Sequence, residues 1–160
     1  MSMNTVGDAV ADILVQTARE QALLKQCRVT LEDAFERDNH QFAHPAQKLI
    51  EIRAAAQELY HHLERVWEGE ESQRGFMQVV TEAYPESAEH LVAFREQHQR
   101  YRREMSLLTA RLQFVAASNA NEIAAIGRDL QKLMDEIDRH HLQESRFLQV
   151  VFRDDAGGEG

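Results

Sequence analysis

Cysteine is almost absent from these 160 residues, and Cys27 stands alone. A lone thiol forms no internal disulfide and leaves no thiolate cluster for zinc or an iron–sulfur centre, so Cys27 reads as a small buried hydrophobe. Proline is nearly as scarce, at Pro45 and Pro85 only, and there are seven glycines. With Ala, Leu, Glu, Gln and Arg abundant, this shortage of helix breakers predicts long helices and an all-α protein. Positive charge is in deficit too. A net charge of −9 disfavours a phosphate backbone or an anionic membrane as partner, so neither nucleic acid nor membrane is expected. A cation is the more compatible ligand. No apolar run approaches the roughly 20 residues that span a bilayer, and Met1 to Asp8 lack the regions of a signal peptide. The expected compartment is the cytoplasm.

Catalytic signatures are missing as well. The chain has no His-Glu-x-x-His, no glycine-rich phosphate loop and no nucleophile elbow. Its one Glu-x-x-His, Glu58-Leu59-Tyr60-His61, lies off the expected core face, which argues against a ferritin-like oxidase. An enzyme is not the expected function; catalysis would be incidental redox chemistry at a metal.

What is present is an apolar spacing of alternating three and four, the mark of one helix face turned to a core. The last long stretch reads Ile123, Ile126, Leu130, Leu133, Ile137, His140, Glu144, Phe147, Val151. Two polar residues occupy positions where hydrophobes belong. The stretch before it reads Leu91, Phe94, His98, Tyr101, Met105, Leu108, Leu112, Val115, and the second reads Leu49, Ile52, Ala56, Leu59, Leu63, Val66, Glu70. Each of the three seams carries at least one ligand-type side chain facing inward. An ionised carboxylate buried without compensation costs several kcal/mol or more. Two glutamates and two imidazoles around a divalent cation would balance charge and fill coordination positions together, as in non-haem iron, manganese and zinc sites.

The first helix is expected over about residues 5–36, with Val10, Leu14, Leu24, Leu31 and Phe35 inward, ending at Arg37-Asp38-Asn39-His40. Gln41 to Pro45 forms the connection, Pro45 and Pro85 open the second and third helices, and Ser118-Asn119-Ala120-Asn121 divides the third from the fourth. Short connections predict an antiparallel up-down-up-down four-helix bundle over residues 1–155, with 156–160 a flexible tail. Depth follows by counting. His98 lies 20 residues before Ser118 and His140 lies 19 after Asn121, while Glu70 is 15 before Pro85 and His98 is 13 after it. The ligand-type residues should meet in one layer.

The remaining histidines have milder readings. His61 and His62 flank the second seam and point sideways, with His62 a minor candidate for metal contact. His40 and His44 bracket the first connection as loop or capping residues, and His90 and His141 are read as surface residues. Gly127 suits close helix packing; Gly69 marks either a bend near Glu70 or a tolerated surface position.

These stretches resemble the hemerythrin-like (HHE) family of four-helix bundles, which hold a non-haem di-iron centre. The carrying motifs are His140-His141-Leu142-Gln143-Glu144, like the family's last-helix His and Glu; Arg95-Glu96-Gln97-His98, like its third-helix motif; and Glu64-Arg65-Val66-Trp67-Glu68-Gly69-Glu70-Glu71, similar to His-Phe-x-x-Glu-Glu. Coverage runs from about residue 14 to 155. Several family ligand positions are changed: the second-helix histidine falls on Val66, the first-helix histidine on Gln21, and the position one turn before His98 on Phe94. The resemblance implies a degenerate site of Glu70, His98, His140 and Glu144. Such a site would bind one metal ion, or two, with iron implied and zinc or manganese alternatives, for dioxygen or small-ligand binding, sensing or metal handling. Gln21 would serve as a weak oxygen ligand or as a hydrogen-bond partner to a ligand. Two alternatives stand beside this reading: a metal-free buried polar network left from a metal-binding ancestor, and a protein-interaction module presenting an acidic helix face.

Overall fold

The structure is a computed structural model that describes residues 3–36 and 44–157, with side chains over 7–36 and 44–153. Its elements are α1 (Met3–Glu36), α2 (Pro45–Glu71), α3 (Phe76–Ala83), a 3-10 turn (Pro85–Ser87), α4 (Ala88–Phe114) and α5 (Ala120–Gly157). No strand occurs among the described residues, and the four long helices fit a four-helix bundle.

Helix boundaries follow local chemistry. Pro45 is the first residue of α2, where its missing N–H and preset φ cost nothing. His44 precedes it in extended backbone, exposed and without a side-chain capping bond, which matches the loop reading and not the capping one. His40 and the rest of 37–43 lie outside the described residues. Pro85 opens the 3-10 turn and α4 begins at Ala88. Before α5, the Asn119 side-chain oxygen accepts the Glu122 backbone N–H at 3.2 Å and satisfies one of the unpaired donors of the first turn. At the far end, helix α5 continues through Gly157, two residues into the expected tail; 158–160 are outside the described residues.

Two apolar clusters fill the interior. The larger contains Leu24, Leu31, Leu49, Ile52, Leu59, Leu63, Trp67, Tyr101, Met105, Ile126, Leu130 and Ile137. The smaller gathers Ile13, Leu91, Phe94, Leu148 and Val151 with Phe76, Met77 and Val80 of α3. Helix α3 was not anticipated, because eight residues are too few to reveal a 3.6-residue period. In α1 the inward face carries Ile13, and Leu14 is half exposed. One position is about 100° around a helix, so an error of one residue exchanges core for solvent. In α5 likewise, Leu148 is buried and Phe147 only half-buried.

Two glycines meet close neighbours. A Cβ on Gly75 would stand 2.2 Å from the Gly69 carbonyl oxygen and 2.3 Å from that of Glu70, because the chain doubles back over the end of α2. A Cβ on Gly127 would lie 3.0 Å from the Phe35 ring, so the expected close packing there is real. Gly69 is exposed, and its nearest neighbour would be Glu20 Oε1 at 3.8 Å. Opposite effects are expected in urea unfolding. Gly75→Ala lowers stability by on the order of 1–3 kcal/mol, whereas Gly69→Ala raises it by up to about 1 kcal/mol. Equal effects from the two would contradict the close approach at Gly75.

Candidate metal centre

Glu70 in the last turn of α2, His98 in the middle of α4, and His140 and Glu144 one turn apart on α5 meet between the two apolar clusters. His98 Nε2 lies 3.3 Å from Glu70 Oε2 and 3.6 Å from Glu144 Oε1, and His140 Nε2 lies 2.8 Å from Glu144 Oε1. All four side chains are buried, from 0% exposed for His98 to 9% for Glu70. The layer is one turn deep: Val66 and Trp67 lie on one side of Glu70, and Phe94 and Leu148 on the far side of His98 and Glu144.

The other ring nitrogens show how the imidazoles are oriented. His98 Nδ1 donates to Glu71 Oε1 at 2.9 Å, and His140 Nδ1 donates to Gln97 Oε1 at 2.5 Å. A neutral imidazole has one N–H, so both Nε2 atoms then carry lone pairs. Each lone pair faces a carboxylate oxygen. The 2.8 Å pair of His140 and Glu144 lacks the alignment of a hydrogen bond, and His98 Nε2, His140 Nε2, Glu70 Oε2 and both Glu144 oxygens have no hydrogen-bond partner. Facing lone pairs repel unless a proton or a cation lies between them. Nitrogen and oxygen ligands about 2.0–2.2 Å from a metal stand roughly 3–3.5 Å from one another, and the spacings here, 2.8, 3.3 and 3.6 Å, straddle that range. Anchoring of the distal imidazole nitrogen by carboxylate or carbonyl oxygen is the usual support for a metal-binding histidine.

Aromatic rings wall the layer. Trp67 stacks on His98 with centroids 5.7 Å apart, and Phe94 and Tyr101 each present an edge to His140 at 5.5 Å. The Arg102 guanidinium sits 5.4 Å over Trp67 and donates to both Glu71 oxygens at 3.2 and 3.3 Å, so the carboxylate that orients His98 is itself held.

Burial and the adjacent Glu144 charge drive the Glu70 carboxyl well above its ordinary value near 4.5. Glu144 feels the same burial, but where a proton lies between its oxygens and the Nε2 atoms of His140 and His98 those contacts outweigh burial and drive this carboxyl well below the usual range. The two carboxyls are thus driven in opposite directions, Glu144 towards the anion and Glu70 towards its protonated form. Burial also lowers the His141 pKa, keeping that ring neutral.

No family model, curated protein or solved structure matches this chain. The site is argued from its own chemistry.

The four expected residues lie near one another but fall in two converging groups, His98, His140 and Glu144 in one and Glu70 with His141 and Glu144 in the other, and the other expectations divide. Gln21 is exposed and donates to Ser145 Oγ at 3.4 Å, and it belongs to neither converging group of ligand atoms. His62 is half-buried with an unpartnered Nε2 and belongs to neither converging group of ligand atoms. Val66 and Phe94 pack as hydrophobes, one in each cluster. His90 is exposed, 5.3 Å from the Phe147 ring. His141 is not a surface residue: it is 7% exposed, its Nε2 has no partner, and it forms a second convergent group with Glu70 and Glu144. The signal was present in the spacing Ile137, His141, Glu144, Leu148, which is as regular as the one through His140. Glu71 and Gln97 were also missed; each sits next to a seam residue, and only the position of the neighbouring helix makes it a partner.

The opposed carboxyl shifts define a pH test on metal-free protein. Glu70 has a raised folded pKa, so its stabilising contribution is complete below about pH 4.5 and is lost as pH rises through the folded value. In chelator, Glu70→Gln is expected to melt near the parent temperature at pH 4.5 and increasingly above it towards pH 8. A constant difference across that range would mean that Glu70 carries no burial penalty.

Proposed function

We propose that this chain is a hemerythrin-like, up-down-up-down antiparallel four-helix bundle that binds non-haem metal through Glu70, His98, His140 and Glu144. The bound ion serves small-ligand or dioxygen binding, sensing or metal handling. The observation that carries the reading is the set of unpartnered nitrogen and oxygen atoms facing one another in a buried layer. The helix directions draw support from cross-helix pairs. Arg53 near the start of α2 donates to the Leu112, Gln113 and Val115 carbonyls at the end of α4, whereas Glu71 at the end of α2 meets Arg102. Arg111 pairs with Glu122 and Asp129, and Arg100 with Glu136, so positions along α4 and α5 run in opposite senses.

The donor set suits the proposal chemically. Two imidazoles and two carboxylates match iron, manganese or zinc, and leave coordination positions for water or a small ligand. An ion there would supply Lewis acidity and, if it were iron, a one-electron couple. The protein's own residues do the rest: Glu71 and Gln97 fix the ring tautomers, while Trp67, Phe94 and Tyr101 exclude water. Because burial drives metal-free Glu70 towards its protonated form, uptake of an ion there releases protons, and affinity rises with pH.

Elemental analysis of untagged protein tests the reading. At least one equivalent of metal per chain is expected, and His140→Ala should reduce retained metal about tenfold or more with helicity unchanged. Metal content equal in parent and variant would refute the assignment.

A further inference from the structure

Helix α1 is anchored on either side of a loosely packed stretch. Leu24, Leu31 and Ala34 enter the larger apolar cluster and Ile13 the smaller, but no side chain of residues 14–23 is buried. That stretch passes the buried layer. Glu20 is the nearest neighbour of a Cβ built on Gly69, next to Glu70, and Gln21 donates to Ser145, next to Glu144. One is half-buried and the other exposed. Beyond this stretch Arg28 bridges the seam between α1 and α5: its guanidinium bonds Glu32 on its own helix at 2.8 Å and, across the seam, Asp135 at 2.5 Å together with Asp138. A cavity lies on each side of the clamp. One, of about 610 Å3, is lined in part by Gln21, Lys25 and His141, the other, of about 320 Å3, in part by Leu31, Phe35 and Met134, and Arg28 borders both.

We infer that α1 is the movable wall of the layer and Arg28 its latch: release of Asp135 and Asp138 opens the seam and admits solvent and solutes to His141 and the groups behind it. Access by this route does not depend on an ion in the layer. Local opening costs least where an element buries least apolar surface, and residues 14–23 bury none of their side chains. The latch is electrostatic and lies at the surface. Arg28 is 17% exposed but both aspartates are more than half exposed, so dissolved ions screen the pairs across the seam. Salt does not weaken apolar packing in this way, so Leu24, Leu31 and Ala34 stay anchored while the seam loosens. His141 reports the state of the wall. Its ring lines the larger cavity yet is 7% exposed, with Nε2 buried and unpartnered.

Carbethoxylation of the metal-free full chain by diethyl pyrocarbonate tests the latch, with each histidine followed by peptide mass spectrometry and the His141 rate normalised to that of exposed His90. In the parent His141 should react far more slowly than His90 at low ionic strength, and about fivefold faster when sodium chloride is added. In Arg28→Met the rate should be high without salt and change little on adding it. Lys25→Gln, which removes a cation of the same groove and leaves the clamp intact, should behave as the parent. Asp135→Asn combined with Asp138→Asn undoes the latch from the α5 side and repeats the measurement should Arg28→Met lose helicity. A parent whose His141 reacts as fast as His90 at low salt, or whose rate salt does not move, overturns the inference. So does a folded latch variant with the parent's rate or the parent's salt response, or a Lys25→Gln variant as fast as Arg28→Met.

Discussion

Four ionisable side chains buried in one layer constrain the rest of this bundle. Two apolar clusters flank their layer, the larger reaching it with Trp67 and Tyr101 and the smaller with Phe94. Carboxylates and imidazoles at that depth lose hydration worth several kcal/mol, which surrounding groups must offset. The offset is incomplete within the protein alone. Each imidazole finds an acceptor for Nδ1, yet every group that points to the centre lacks a hydrogen bond. The layer is satisfied on its outer side and unsatisfied on its inner side.

The outer supports come from different elements. Arg102 on α4 braces Glu71 on α2, Glu71 orients His98, and Gln97 on α4 orients His140 on α5. Helix α3 covers the end of the layer with Phe76, Met77 and Val80, and Gly75 permits the tight return that brings it there. Helix α1 supplies neither of the described histidine anchors. Its Arg28 ties it to Asp135 and Asp138 of α5, and the groove beside that clamp reaches His141. The layer is thus closed by aromatic rings on one side and approached by solvent on another.

Much of this was legible in the chain. The seams through His98, His140, Glu144 and Glu70 held their spacing across several turns, and counting from the connections placed them at one depth. Long amphipathic helices allow this because their period repeats often enough to average out local exceptions. The failures came where the period could not decide. Leu14 and Ile13 differ by one step around α1, a helix whose apolar stripe is diluted by exposed Val15, Leu23 and Val29. His140 and His141 are both compatible with the inward face of α5, since 3.6 residues per turn let that face widen to two adjacent positions where helices on both sides contact it. His141 turns towards α1, a direction the pattern of α5 alone does not contain.

The sequence by itself determined that the chain is helical, that four long amphipathic segments must hide their apolar faces together, and that Glu70, His98, His140 and Glu144 would be buried with them. These are local properties, set by residue type and by spacing along one helix. Tertiary structure alone decided which nitrogen of each ring faces the centre, in which direction the Glu70 and Glu144 carboxyls are driven, and that His141 joins a second group. Those outcomes depend on distances of about 3 Å between atoms on different helices. No period within a single helix carries that information, because it arises only when rotation and axial shift of the packed helices bring Glu71, Gln97 and Glu144 to their histidine partners.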